Sequence, residues 1–180
     1  TANPAWIVLD MLTNSRYAGK LPLEQIDIEK FYEWSVFCKS NKLEFNGVFD
    51  GDSQNLWDSL QYVLRVGRAK LINVGNKFSV AVDMPAAPVM MFNVTNIVEK
   101  SLSINWLPMS DRINELEVTF YDKANDYNQN TLRIVDETAQ SRSTRNVQSI
   151  NLIGVTDKAQ AVAEATLYLN MNRLLLQTVT

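Results

Sequence analysis

The chain has 180 residues, 46% of them hydrophobic and 21% charged, with a formal net charge of -3. This is the composition of a folding globular protein rather than a disordered one, long enough to bury about 70% of the surface exposed by the unfolded chain. The acidic balance argues against a dedicated phosphate-binding surface, Cys38 alone rules out an internal disulfide or thiolate metal site, and the lack of histidine removes the commonest general base and zinc ligand.

No apolar run reaches the roughly 20 residues that span a bilayer, and no basic segment followed by a hydrophobic one opens the chain. Neither a signal peptide nor a membrane anchor is therefore expected. The chain starts at Thr1 without methionine and closes on the strand-like Leu174 to Thr180, which reads as a piece of a longer protein.

In chain order, Asn3-Pro4 joins a capping side chain to a residue whose fixed φ suits the first helical position. Ala5, Val8, Leu9 and Leu12 follow at helical spacing, with Gly19 as the stop. A second helix begins at Asp27, where Ile26 and Phe31 stand at the two positions of a hydrophobic staple. Phe31, Trp34 and Cys38 continue one stripe, and Asn41 ends it. Leu43 to Phe49 reads as a short strand running into the turn Asp50-Gly51-Asp52-Ser53, whose last two residues can cap a third helix. That helix carries the stripe Leu56, Leu60, Val63 and Leu64. Ala69 to Val74 and Lys77 to Val82 flank Gly75-Asn76, the two-residue connection of a tight hairpin. Pro85 and Pro88 then interrupt any helix or central strand. The expected boundary lies near residues 83–88, between a helix and hairpin subdomain over 1–84 and a β-rich subdomain over 89–180.

After Val89 to Val94, residues Ser101 to Asp136 alternate apolar and polar side chains with the period of two that a half-buried strand requires. Leu102, Ile104 and Trp106 share one parity. Leu116, Val118 and Phe120 oppose Glu115, Glu117 and Thr119, and Leu132 and Ile134 repeat the pattern beyond a reversal at Asp122 to Asp126. The expectation is a β-meander. Asp136 to Ser149, dense in Ser, Thr, Arg and Gln with few apolar residues, reads as a solvated and mobile loop. Ile150 to Ile153 reads as a strand. Asp157 and Gln160 can then form a reciprocal cap for a helix running to about Asn172, with Ala159, Val162, Ala163 and Leu167 buried. Leu174 to Thr180 returns to strand. The fold class is α+β: a helix-rich N-terminal part with a β-hairpin, then a meander or barrel-like part closed by a C-terminal helix and strand. There is no internal repeat or low-complexity tract.

Without histidine, the candidates for catalysis are carboxylates. Glu115 and Glu117, about 7 Å apart on one strand face, have the spacing at which an acid and a base flank a glycosidic bond. The plainer reading is the solvent face of an alternating strand. Asp50, Asp52 and Asp58 suggest calcium, but Gln61 stands where such a loop needs a bidentate glutamate, and helix capping explains them more simply. Asn93-Val94-Thr95 fits the glycosylation tripeptide, which is common by chance. Residues Asp27 to Val82 run helix, strand, helix, hairpin, with Arg65, Arg68 and Lys70 where a winged helix meets a phosphate backbone. The helix concerned lacks the basic stripe and base-reading residues of such a module. Trp6, Trp34, Trp57 and Trp106 read as core or interface anchors. No catalytic, cofactor-binding or metal-binding residue is assigned, and no cofactor is expected.

The chain also resembles the tail tip attachment (host specificity) proteins of lambda-like phages, in their central hub region. The likeness rests on NPAW at Asn3 to Trp6, FYEWS at Phe31 to Ser35, FNGVF at Phe45 to Phe49, LWDSLQ with VLRVGRA between Leu56 and Ala69, and GNKFSV at Gly75 to Val80. FNVTNIV, SINWLPMSDRINELEVTF, GVTD and LNMNRLLLQTV continue it from Phe92 to Val179. The sequence departs from that pattern at Ala18, where glycine is expected after Tyr17. The resemblance implies a structural virion protein, made in the bacterial host cytoplasm and acting in the phage tail tip. It implies a homotrimeric baseplate-type hub with β-barrel-like domains in a pseudo-sixfold ring, supporting host attachment and DNA ejection. The implied partners are other tail tip and tail tube proteins and the tape-measure protein, with the host receptor contacted by regions outside this chain. It implies no catalytic residue and no specific nucleic-acid binding. A winged-helix nucleic-acid module and, less favoured, a tail-associated glycosidase are the alternatives.

Overall fold

The computed structural model describes residues 1–16, 19–49, 55–93, 95–98, 101–108, 112–136, 145–175 and 177–179. The chain divides into two compact units, one made of Thr1–Met84, Phe120–Gln129 and Leu152–Gln160, the other of Pro85–Thr119, Asn130–Asn151 and Ala161–Thr180.

In the first unit, α1 (Pro4–Thr13) starts on the Asn3 side chain, which accepts from the Ala5 amide at 3.0 Å. It buries Ala5, Val8, Met11 and Leu12. The helix ends at Asn14, which takes extended dihedrals, and not at Gly19, whose amide instead donates to the Met11 carbonyl. Helix α2 (Ile28–Ser40) is capped by Asp27 and ended by Asn41, with Phe31, Trp34 and Cys38 fully buried. Phe31 meets Trp34 edge-on, and Trp34 Nε1 donates to the Gly67 carbonyl at 2.7 Å. A Cβ on Gly67 would stand 2.4 Å from the indole, so this close approach requires glycine. Burial pushes the Cys38 thiol up to about 12, which leaves it an inert core residue.

Helix α3 (Leu56–Val66) is capped by Asn55, whose side chain accepts from the Asp58 amide at 2.8 Å. The expected caps Asp52 and Ser53, with the rest of the turn Asp50 to Ser53, lie outside the described residues. The hairpin β1 (Ala69–Val74) and β2 (Lys77–Val82) closes as expected at Gly75-Asn76, with Val74 opposite Lys77 and Gly75 at φ 64°.

Residues 43–49 do not form the expected strand. Their backbone bonds go to several separate partners rather than along one ladder: Leu43 N to Cys38 O at 2.9 Å, Phe45 N to Ala2 O at 2.8 Å and Asn46 N to Gly154 O at 2.7 Å, with Glu44 met by the Gln160 side chain. The buried Phe45 ring lies over Gly154, which sits at φ 82° and whose added Cβ would stand 2.1 Å from it. Nearby, Lys123 N donates to Thr156 O at 3.0 Å, and Lys123 Nζ pairs with Asp157 at 2.9 Å.

The second unit contains β3 (Ile104–Trp106) and β7 (Gln177–Val179), which pair antiparallel with each other. It also holds most of β4 (Glu115–Asp122), β5 (Asn128–Val135), β6 (Val147–Asn151) and α4 (Lys158–Leu174). Strands β4 to β6 form a three-stranded sheet in the order β5-β4-β6. The five-residue connection from β4 to β5 permits only a hairpin, whereas β6 runs parallel to β4 with Val147 opposite Glu115. The α+β class with a C-terminal helix and strand holds, but the three-strand meander does not. β3 leaves the run to pair with β7, and the described residues form no closed barrel. The segment read as a solvated loop up to Ser149 becomes strand from Val147, while residues 137–144 of it lie outside the described residues.

Asp157 caps α4, its Oδ1 accepting from the Ala159 and Gln160 amides. Gln160 does not reciprocate: its side chain instead donates to Glu44 O and accepts from Glu44 N. The buried residues of the helix are Gln160, Ala161, Ala165 and Leu169, while Ala159, Val162 and Ala163 are exposed and Leu167 is half-buried. Both faces are small and apolar, so spacing alone did not separate them.

Gly154→Ala should cost about 1–3 kcal/mol in urea unfolding, since the new methyl overlaps the Phe45 ring and the residue must keep a left-handed φ. In a Phe45→Ala background the same substitution should cost clearly less; an equal cost would place the strain elsewhere.

Candidate functional site

Strand β4 puts Leu116, Val118 and Phe120 in the core, as alternation requires, and turns Glu115 and Glu117 to the other face. That face is not simply solvent. Glu115 is 0% exposed, because two arginines close over it. Arg133, from β5, donates through Nη2 to Glu115 Oε2 at 2.7 Å, and its Nε contacts Oε1. Arg145, two residues before β6, donates through Nε to Oε2 at 2.9 Å and through Nη2 to Oε1 at 2.8 Å. The arginines remain about half exposed, so the carboxylate is sealed from water while the cations are not.

Polar backbone pairing surrounds this cluster. Asn146 N donates to the buried Asn114 side chain at 2.8 Å, and the Asn146 carbonyl accepts from the Asn114 and Glu115 amides. Asn146 Nδ2 donates to the Arg112 carbonyl at 3.1 Å, Asp136 N donates to Asn114 O at 2.9 Å, and Ile113 N donates to the Asn172 side chain at 3.0 Å.

The hydrogen bonds from Arg145 and then Arg133 outweigh burial and hold the Glu115 carboxyl down at about 2. At neutral pH it is therefore ionised, with both oxygens engaged by guanidinium groups. A proton donor must hold its proton near the working pH, and a carboxylate nucleophile needs a free oxygen. Glu115 meets neither condition. Glu117 is half-buried and accepts a long 3.5 Å bond from Ser149. The two glutamates share a face, as the sequence implied, but not the acid and base roles that their spacing allows.

Of the calcium candidates, Asp50 and Asp52 lie outside the described residues, and Asp58 is exposed in the first turn of α3. Among the described residues no group of three or more acidic, histidine or cysteine side chains could hold a metal ion, and no helix is long and apolar enough to cross a membrane. Asn93 accepts from the Thr95 amide and hydroxyl within its own turn; Val94 lies outside the described residues. Arg65 and Lys70 are exposed, Arg68 is half-buried at φ 53°, and residues 43–49, read as the strand before α3, form none. Trp34 is core and Trp6 half-buried, whereas Trp57 and Trp106 are 54% and 64% exposed.

Sequence reading placed Glu115 on a solvated face and missed its partners. Arg133 was within reach of inference, because the hairpin sets it near Glu115. Arg145 was not, since it falls in a polar stretch with no periodicity.

A family model described as a putative phage tail protein matches residues 55–180. Tip attachment protein J of Escherichia phage SECphi27 is 27% identical over 170 residues, 88% of this chain and 14% of that protein. The crystal structure of the tail protein from Neisseria meningitidis MC58 shares the fold, with a TM-score of 0.51 at 15% identity over 76% of this chain and 41% of that one. The chain thus spans about a seventh of the curated relative and under half of the solved one.

Titrating Glu115 by carboxyl NMR should give a midpoint of about 2 rather than the ordinary 4.5. The folded value lies below the unfolded one, so the stabilisation from Glu115 is complete above about pH 4.5 and is lost as the pH falls through about 2. Glu115→Gln should therefore lower the melting temperature at pH 7 and converge with the wild type near pH 2, while Glu117→Gln should change little. A Glu115 midpoint near 4.5 would contradict the pairing.

Proposed function

This chain belongs to the family described as putative phage tail protein, and from that premise we propose that it is a structural part of a tail tip hub. The observation that carries this reading is the likeness to a tip attachment protein along 88% of the chain. On this reading the module works by assembly. It is made in the host cytoplasm, joins the virion as part of a homotrimeric ring at the distal tail end, and supports host attachment and DNA ejection. Its neighbours are other tail tip and tail tube proteins and the tape-measure protein, and the host receptor is met by regions outside these residues.

The reading is non-enzymatic. It is supported by the engagement of Glu115, one of the two carboxylates whose spacing suggested an acid and base pair, in holding two arginines. A tail hub needs rigid elements and complementary surfaces rather than a proton shuttle, and the close packing of Trp34 on Gly67 and Phe45 on Gly154 supplies rigidity.

Immunogold labelling of particles with an antibody to this chain should mark the distal end of the tail; label on the head, or none, would overturn the reading. The purified protein should leave peptidoglycan turbidity unchanged. Clearing that Glu115→Gln abolishes would instead support the glycosidase alternative. Binding of duplex DNA that falls steeply with salt would support the winged-helix alternative.

A further inference from the structure

The pentapeptide Phe45 to Phe49 holds the chain's single Asn-Gly pair, Asn46-Gly47. An asparagine before glycine is the sequence most open to attack on its carboxamide by the next backbone nitrogen. Glycine puts no Cβ beside that nitrogen and leaves its dihedrals free. Both residues are exposed, in a stretch that is neither helix nor strand. The Gly47 amide donates no hydrogen bond among the described residues, so its nitrogen is available. Asn14-Ser15, the next most open pair, differs on both counts. Serine carries a Cβ, and the Asn14 side chain is tied at both ends, Nδ2 donating to Asp10 at 3.2 Å and Oδ1 accepting from the Arg16 amide at 2.9 Å. Around Asn46-Gly47 the flanks are what is fixed. Asn46 N donates to Gly154 O at 2.7 Å, Asn46 Nδ2 donates to the buried Thr156 hydroxyl at 3.3 Å, and the Phe45 and Phe49 rings stack at 5.7 Å.

We propose that Asn46-Gly47 is a self-modifying site: the folded chain converts Asn46 to aspartate and isoaspartate, and the isoaspartyl form loosens the loop Phe45 to Phe49. The Gly47 nitrogen loses its proton and attacks Asn46 Cγ. The new N–C bond closes a cyclic imide, and the Nδ2 group takes up a proton and leaves as ammonia. Water, the one co-reactant, then adds to either imide carbonyl. Breaking the Cγ–N bond restores the ordinary backbone with an aspartate side chain. Breaking the bond to the α-carbonyl carries the backbone through Cγ, adds a methylene to it and leaves the α-carboxylate as the side group. Each product gains one negative charge and loses the N–H that Asn46 gives Thr156. Two further carboxylates, Glu44 and Asp157, lie close in sequence to that bonded pair, so the new charge meets like charges. The extra methylene moves Gly47 away from an Asn46 whose amide stays tied to Gly154, and Phe49 then loses its register on Phe45.

The test incubates the full folded chain in mildly alkaline buffer, separates acidic species by ion exchange and maps each by peptide mass spectrometry. The wild type should accumulate forms about 1 Da heavier, with the change on Asn46 and both linkages present. Gly47→Ala should slow the conversion on the order of tenfold, because the methyl crowds the attacking nitrogen. A Cβ there would stand 3.1 Å from the Phe45 ring, so Asn46→Gln serves as a second variant that does not touch the glycine. Its longer side chain must close a less favourable ring, and it should likewise suppress the acidic species. The purified isoaspartyl form should melt below the unconverted chain. Asn46 left intact in the folded chain, over a period in which the urea-unfolded chain converts, would overturn the site by showing that the fold protects it. Conversion confined to another asparagine would overturn it as well. An isoaspartyl form that melts with the unconverted chain would overturn the loosening.

Discussion

A carboxylate removed from water has to be met by cations, and Glu115 is met by two that come from the two sides of β4. Arg133 comes from the strand that follows by a short hairpin, and Arg145 from the approach to the strand on the opposite edge. One buried charge therefore ties the beginning of β4 to both neighbours. Alternation of apolar residues restricts a sheet's register only to steps of two, because a slip of two returns each side chain to its own face. A parallel edge strand also has no tight turn to set its position. The Glu115 cluster and the Asn114 and Asn146 bonds beside it supply the missing constraint and fix Val147 opposite Glu115. Such a cluster adds little net stability over a well-packed apolar alternative, but removing one member leaves the others buried or unpaired.

What could be read from the sequence follows from how local its cause is. Asn3-Pro4, Asp27, Asn41 and Gly75-Asn76 each act on their own few residues, and the helices and the hairpin begin and end at or near them. The stripe Phe31, Trp34 and Cys38 is strongly apolar on one side only, and it is buried as its spacing implies. The α4 helix offered two weakly apolar faces, and the buried one is chosen by long-range contacts such as that of Gln160 with Glu44. Leu43 to Phe49 has the composition of a strand, but its backbone is claimed residue by residue by Cys38, Gln160, Ala2 and Gly154. Gly154 is distant in sequence from the ring it accommodates. Arg145 gave no signal, because a charge in a polar stretch does not reveal which buried group it covers.

The candidate site is thus better described as architecture than as chemistry. Its carboxylate is shifted toward permanent ionisation, whereas a residue that shuttles protons at neutral pH is shifted the other way. The thiol of Cys38 is buried and shifted away from reactivity. Reactive groups are silenced inside, and apolar side chains such as Val89, Met91, Phe92 and Trp106 are exposed outside, a distribution suited to a part that meets other protein. That distribution agrees with membership in a tail protein family and with the assembly role proposed for this segment.

The claim that Glu115 organises the sheet through its arginines is tested most directly by a double-mutant cycle with Glu115→Gln and Arg145→Met, measured by urea unfolding at pH 7. If the carboxylate and the guanidinium act as one unit, the double variant loses clearly less stability than the two single losses combined. Simple additivity would show that Arg145 is not held by Glu115, and the order of the sheet would need another cause.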